Sequence, residues 1–345
     1  MLFSEVIGHS KIKDVLTRSV NSKRVGHAYI FEGQSGVGRL SAAKAFAQRL
    51  ICESPSDTDS CGVCKACSQH RSGNHPDVQI VTNQLYDAGK KSTDILVDTI
   101  RSMKRDIYIK PYAAQRKVYI VPKADTMNLY AQNSLLKVLE EPPEYCVIIL
   151  IAENSNAFLP TILSRAPVLK FYPLSENEVK EYLVNNCSEP DIDKIDLVSK
   201  MCGGSIGKAK VLLENSEILQ LRDELLEHIY SLSGNRRKSI YDLTLLLKQN
   251  KDDVDFLLNV MQGLFRDLLY IKKTKSVEYI TNSDKKVKIQ KIADLLGERT
   301  PLALLEIVFK YSDYFAKNIS YGLNAQCLSL ELWEAINDRG YRSKV

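Results

Sequence analysis

Apolar residues follow two different rhythms along this 345-residue chain. Up to Pro173 they gather into short runs rich in Val, Ile, Tyr and Phe: Ala28–Glu32, Val78–Val81, Lys117–Val121, Cys146–Ala152 and Val168–Tyr172. Such runs read as strands. Leu40–Leu50, Asp94–Ile107, Asn128–Glu140 and Asn156–Ser164 lie between them with helical spacing. Strands alternating with helices predict a mostly parallel sheet covered on both faces.

From Ser175 onward the period is helical throughout. Ser175 followed by Glu178 forms a capping box, and Val179, Tyr182 and Leu183 then share one face. Ile192, Ile195, Val198 and Met201 make a second stripe that stops at Gly203-Gly204, a helix end. Leu212–Leu232, Tyr241–Gln249, Val254–Ile271 and Leu302–Ile336 read as further amphipathic helices. The pattern therefore predicts an α/β domain over 1–173, a small helical domain over 174–211 and a larger helical domain over 212–345. The length agrees, at roughly 150 residues per domain.

Composition adds little beyond exclusion. An apolar fraction of 44% and a charged fraction of 26% suit a globular chain. The longest apolar run, Cys146–Ala152, is too short to span a bilayer, and Glu5, Lys11 and Lys13 interrupt any signal-peptide core. A cytoplasmic protein that makes no membrane contact is expected. The net charge of +5 is mild, compatible with touching phosphates and equally with a solvated surface.

Two stretches carry candidate chemistry. Gly33-Gln34-Ser35-Gly36-Val37-Gly38-Arg39-Leu40 follows a strand and opens a helix, as a phosphate-binding loop does. A working loop ends in Lys and then Ser or Thr, one neutralising the β/γ-phosphates and the other ligating magnesium. Arg39 keeps the charge without the compact geometry, and Leu40 cannot bind a metal. The strand Val118–Val121, which should end in the acidic pair of an ATPase, runs instead into Pro122 and Lys123. Asp125 reads as a cap for the helix that follows. Gly33, Gly36, Gly38 and Arg39 thus make a degenerate nucleotide loop, with ATP binding weak or absent and no intrinsic ATPase expected.

The second stretch is Cys52-x8-Cys61-x2-Cys64-x2-Cys67, four of the eight cysteines within residues 52–67. Short spacings let a loop wrap one ion, and four sulfurs close a tetrahedral structural Zn2+ site with no open position. His70 or His75 is an alternative to Cys52 as fourth ligand. A ferredoxin-type run would need a fourth Cys soon after Cys67, and Ser68–Arg71 offers none.

Several runs resemble a known family. Asn133-Ser134-Leu135-Leu136-Lys137-Val138-Leu139-Glu140-Glu141-Pro142-Pro143 closely resembles a hallmark of the bacterial clamp-loader branch of AAA+ proteins. Leu159-Pro160-Thr161-Ile162-Leu163-Ser164-Arg165 resembles its Ser-Arg-Cys motif, with Ala166 in place of the Cys. Gly204-Ser205-Ile206-Gly207-Lys208-Ala209 is similar to its second sensor, with Gly207 where an arginine belongs. The cysteine cluster and His27-Ala28-Tyr29 stand in the family's positions, and Asn318-Ile319-Ser320 to Leu330-Glu331 resembles the end of its helical collar.

The resemblance implies an AAA+ P-loop-type parallel sheet with a zinc insertion, a small helical lid and a C-terminal collar for oligomerisation. It implies a subunit of the DNA polymerase III clamp loader, packed against gamma/tau and near delta. That assembly loads a ring-shaped sliding clamp onto primed DNA, held through its phosphate backbone. The broken loop, the Pro-Lys box and the missing sensor arginine imply a non-catalytic member. Ser164 and Arg165 would then serve in trans, Arg165 as an arginine finger for a neighbouring ATP site. A catalytically active gamma-like ATPase is the alternative, and a stand-alone zinc-dependent nucleic-acid binder is a third. Arg101, Lys104 and Arg105 end the Asp94–Ile107 helix where the family tracks duplex phosphates, although a basic helix C-terminus is also favoured by the helix dipole.

Overall fold

The computed structural model describes residues 1–86, 94–187, 191–234, 237–317 and 320–337. Asn318 and Ile319, which begin the segment expected to close the collar, lie outside the described residues, as do those beyond Asn337. The chain forms two compact units: Met1–Tyr182 with Gly204–Gly207, and Leu183–Gly203 with the described residues from Lys208 onward.

The first unit opens with a 3-10 turn at Phe3–Glu5 and α1 (Ser10–Asn21). There follow β1 (Ala28–Glu32), α2 (Arg39–Ile51), α3 (Lys65–Arg71), β2 (Val78–Ile80), α4 (Asn83–Tyr86), α5 (Val97–Ile107), β3 (Lys117–Val121), α6 (Leu129–Glu140), β4 (Cys146–Ala152), α7 (Pro160–Leu163) and β5 (Val168–Lys170). The five strands form one parallel sheet in the order β2-β3-β4-β1-β5. Both faces are covered, so successive residues of one strand feed different cores. On β4, Ile148 and Leu150 pack with Ile100 and Met103 of α5 and Leu135 and Val138 of α6. Val147 and Ile149 pack with Ala42, Ala43 and Phe46 of α2 and Leu16 of α1. This is the parallel sheet, covered on both faces, that the alternation of strands and helices predicts. Register sets Glu32 beside both Ala152 and Lys170, which brings the residues after β1, β4 and β5 to one edge.

Helix α8 (Glu176–Asn186) starts in the first unit on the expected capping box: Glu178 N donates to Ser175 Oγ at 3.3 Å and Ser175 N to Glu178 Oε2 at 2.8 Å. The second unit holds α9 (Ile192–Met201), most of α10 (Ile206–Glu214), α11 (Ser216–Leu232), α12 (Arg237–Gln249), α13 (Val254–Thr274), α14 (Lys286–Leu295), α15 (Thr300–Ala316) and α16 (Tyr321–Asn337). Its core gathers Leu264, Phe265 and Leu268 of α13 with Leu304 and Val308 of α15 and Leu328 and Leu332 of α16. Arg222 of α11 is buried there, and its charge is met by Asp223 and Asp284. No described helix is long and apolar enough to cross a membrane.

Candidate functional site

The glycine-rich loop spans β1 to α2. Gly33 N donates to Ala152 O at 3.2 Å, and a Cβ on Gly33 would strike the Phe171 carbonyl. Gly36, at φ 79°, faces the segment Gly204–Gly207 of the same unit. Ser205 Oγ donates to Ser35 O at 2.9 Å and Gly207 N to Gly36 O at 3.1 Å. A Cβ on Gly207 would lie 2.9 Å from Gly36 Cα, so the sensor-like position admits no side chain in this arrangement. An arginine there needs the contact to open.

Arg39, the loop's remaining cation, is buried and turned to the end of β4. Its Nη1 donates to Ala152 O, and its Nη2 lies 3.8 Å from Glu153 Oε1. Burial lowers its pKa, against the raising effects of Glu153 and Asp125. Where an acidic pair would follow β3, the exposed Lys123 takes a left-handed turn at φ 50°. Asp125 does not cap the following helix. Asn128 does so itself, accepting from Ala131 N at 2.9 Å, while Asp125 Oδ2 accepts from Glu153 N at 2.8 Å. Its position in a tight turn, level with the end of β4, decides this. Asn154 caps the turn Ser155–Ala157 through Asn156 N.

Ser164 and Arg165 follow the short α7. Arg165 Nη1 donates to Thr161 O at 2.9 Å, and Nη2 lies 3.2 Å from Glu140 Oε1, with a third of the arginine side chain still exposed. A partly exposed pair of this kind contributes little stability, and its guanidinium is available to exchange partners. Gln132 of α6 sets the approach to α7. It is buried, accepts from Leu159 N at 2.8 Å, and donates to Met127 O at 3.0 Å and Ala157 O at 2.9 Å. Sequence reasoning passed over it; the only signal is a glutamine on the otherwise apolar side of α6.

The ligand atoms of Cys52, Cys61, Cys64 and Cys67 all lie within 4.8 Å of one another, a set that can hold a metal ion. Cys61 N, Cys64 N and Cys67 N donate to the sulfurs of Cys52, Cys61 and Cys64 at 3.2, 3.3 and 3.5 Å. Amides aimed at sulfur favour thiolate, the form that ligates metal. The amides of Val63 and Cys64 bring the Cys61 thiol down to about 6, whereas burial pushes Cys52 and Cys67 upward. His70 is engaged elsewhere, its Nε2 2.9 Å from Lys44 O, and His75 Nδ1 accepts from Asp77 N at 3.1 Å. The geometry therefore favours Cys52 as fourth ligand.

Arg101, Lys104 and Arg105 line a shallow groove on α5 with Asp98, Ser102 and Tyr108, and Arg101 lies 3.5 Å from Asp98. His9 carried no sequence signal. At φ 53°, it places Nε2 2.8 Å from Val37 O in the glycine-rich loop, and its ring lies 4.8 Å from that of Phe171. The carbonyl only accepts, so Nε2 carries the proton.

A family model described as "DNA polymerase III, delta subunit" matches residues 8–175. The chain is 29% identical to DNA polymerase III subunit tau of Bacillus subtilis over 89% of its length and 56% of that protein, little more than half of the relative. It is 28% identical to subunit delta' of the same organism, over 76% of this chain and 77% of the relative, and 27% identical to subunit delta' of Pseudomonas aeruginosa, over 81% and 82%. Among solved structures, a gamma subunit-related protein of Thermotoga maritima aligns at 18% identity and a TM-score of 0.42 over 94% of this chain and 99% of that one. At that score the likeness carries no weight in the assignment. The family model and the sequence relatives carry it: they support a DNA polymerase III clamp-loader subunit.

Proposed function

We propose that this chain is the delta-prime subunit of a clamp loader, a non-catalytic AAA+ subunit that helps to load a sliding clamp onto primed DNA in the cytoplasm. The observation that carries this is the state of the loop. Arg39 is committed to Ala152 and Glu153, and Leu40, Pro122 and Lys123 stand where magnesium would need a hydroxyl and carboxylates. Neither charge neutralisation on the phosphates nor water positioning is then provided. Arg165 is the residue proposed to act, reaching a neighbouring gamma/tau ATP site as an arginine finger. Its half-exposed pairing with Glu140 leaves it free to do so.

The rest of the assignment belongs to the same proposal: an α/β domain over 1–173, a lid over 174–211, a collar over 212–345, and partners gamma/tau, delta, the clamp and duplex phosphates. Exposed Leu302 and Phe309, seven residues apart on α15, supply an apolar stripe suited to a collar interface. Zinc is the proposed metal because four thiolates suit its tetrahedral, redox-inert coordination. It would hold the module in shape and supply no chemistry.

The 29% identity to a tau subunit over most of the chain favours a second reading, a gamma-like motor. Turnover of ATP by the purified chain separates the two. The proposed subunit gives no rate above background and co-purifies with gamma and delta. A magnesium-dependent rate abolished by Arg39→Ala would establish the motor.

A further inference from the structure

We infer that the four-cysteine module clamps residues 2–9 of this chain in place, with Asp59 as the positioning residue, so that metal occupancy and the order of that segment are coupled. The inference rests on the proposed zinc occupancy of the module. Helix α2 leaves the glycine-rich loop and ends directly on Cys52. The chain then returns across α2 through Asp59 and Ser60. Arg49, itself buried, donates to Asp59 O and, at 2.7 Å, to Asn21 Oδ1. Gln48 Nε2 donates to Ser60 Oγ at 2.9 Å. The Asp59 carboxylate is thereby aimed at the start of the chain, where Oδ1 accepts from Phe3 N at 3.1 Å and Oδ2 from Ser4 N at 3.0 Å.

Two successive backbone amides on one carboxylate make a specific latch between segments more than fifty residues apart. Beside it, Leu2 stands over Gly62, whose carbonyl accepts from Arg71 Nη2 at 3.0 Å. The latched segment buries Phe3 and Val6 in the α1–α2 core and continues to His9, which touches Val37 in the glycine-rich loop. Asp59 lies two residues before Cys61, whose amide already points at the Cys52 sulfur. Metal bound by the four sulfurs fixes the path from Cys52 to Cys61, and that path carries the latch. By linkage, an ordered 2–9 segment must in turn tighten metal binding.

Hydrogen exchange on the full chain tests this, read by mass spectrometry over residues 2–9 and over β3 as a control, with zinc content measured on the same samples. Stripping zinc with a chelator is expected to speed exchange of residues 2–9 about tenfold or more, leaving β3 unchanged. Asp59→Ala is expected to do the same while one zinc per chain is retained. Protection over 2–9 that survives chelation, or that survives Asp59→Ala, overturns the latch. A chain that takes up no zinc overturns both the coupling and the metal assignment. Full zinc with unaltered protection in the variant overturns the latch alone.

Discussion

The loop's one cation is spent on structure. Arg39 shares the carbonyl that ends β4 with Gly33 N, and removing it forfeits a buried hydrogen bond from a charged donor, which costs about 1.5–3 kcal/mol. Arg39→Ala should therefore lower the urea midpoint while leaving the ATPase of an assembled clamp loader unchanged; a phosphate-binding arginine would give the reverse. His70 makes a prediction with a sign. Burial holds its pKa down to about 4, so the folded state binds fewer protons than an unfolded chain titrating near 6.5. Its contribution to stability is complete above pH 6.5 and falls as the pH drops towards 4. The stability gap between wild type and His70→Asn should shrink over that window. A gap that is flat with pH would place a charged imidazole at this site.

At the scale of elements, the metal module should take up one zinc, and Cys52→Ser should weaken it more than His70→Asn, because His70 is already bonded to Lys44 O. Zinc titration against a colorimetric chelator checks this, and equal losses would return the fourth ligand to doubt. The inner strands β1, β3 and β4 were readable in the sequence because burial on both faces makes them near-continuous apolar runs, and the partly buried edge strands β2 and β5 fall within shorter runs of the same kind. Helix boundaries were less readable, because single polar residues override the period. Leu212–Leu232 breaks at Asn215, whose side chain accepts from Glu217 N and starts a new helix. The helix expected from Asp94 begins at Val97, since Ile95 N is taken by Thr126 Oγ1. Asn156–Ser164 divides into a 3-10 turn and α7, which starts on Pro160. Of the candidate site, the cysteine cluster was legible from spacing and the loop from its glycines. The partners of Arg39, the Gly36–Gly207 approach and the Asp59 latch were not, because each joins positions distant along the chain. Core packing follows the alternation on β4, so Ile149→Ala should cost about 2–5 kcal/mol in chemical denaturation.

At the scale of the whole molecule, a chain without a working nucleotide site of its own is proposed to complete a neighbour's. An arginine finger stabilises charge on the transferring phosphoryl group and is worth about 10³–10⁵ in rate where it has been isolated. The effect on a complex with several ATP sites is smaller, because the other motor sites keep turning. Lysine lacks the planar fork that reaches two oxygens at once, so Arg165→Lys should restore little of it. The most direct measurement is clamp- and DNA-stimulated ATPase of a reconstituted complex carrying Arg165→Ala, with assembly confirmed by gel filtration. The account predicts normal assembly with depressed ATPase and depressed clamp loading, poorly rescued by Arg165→Lys. An assembled Arg165→Ala complex that hydrolyses ATP and loads clamps like wild type would contradict it.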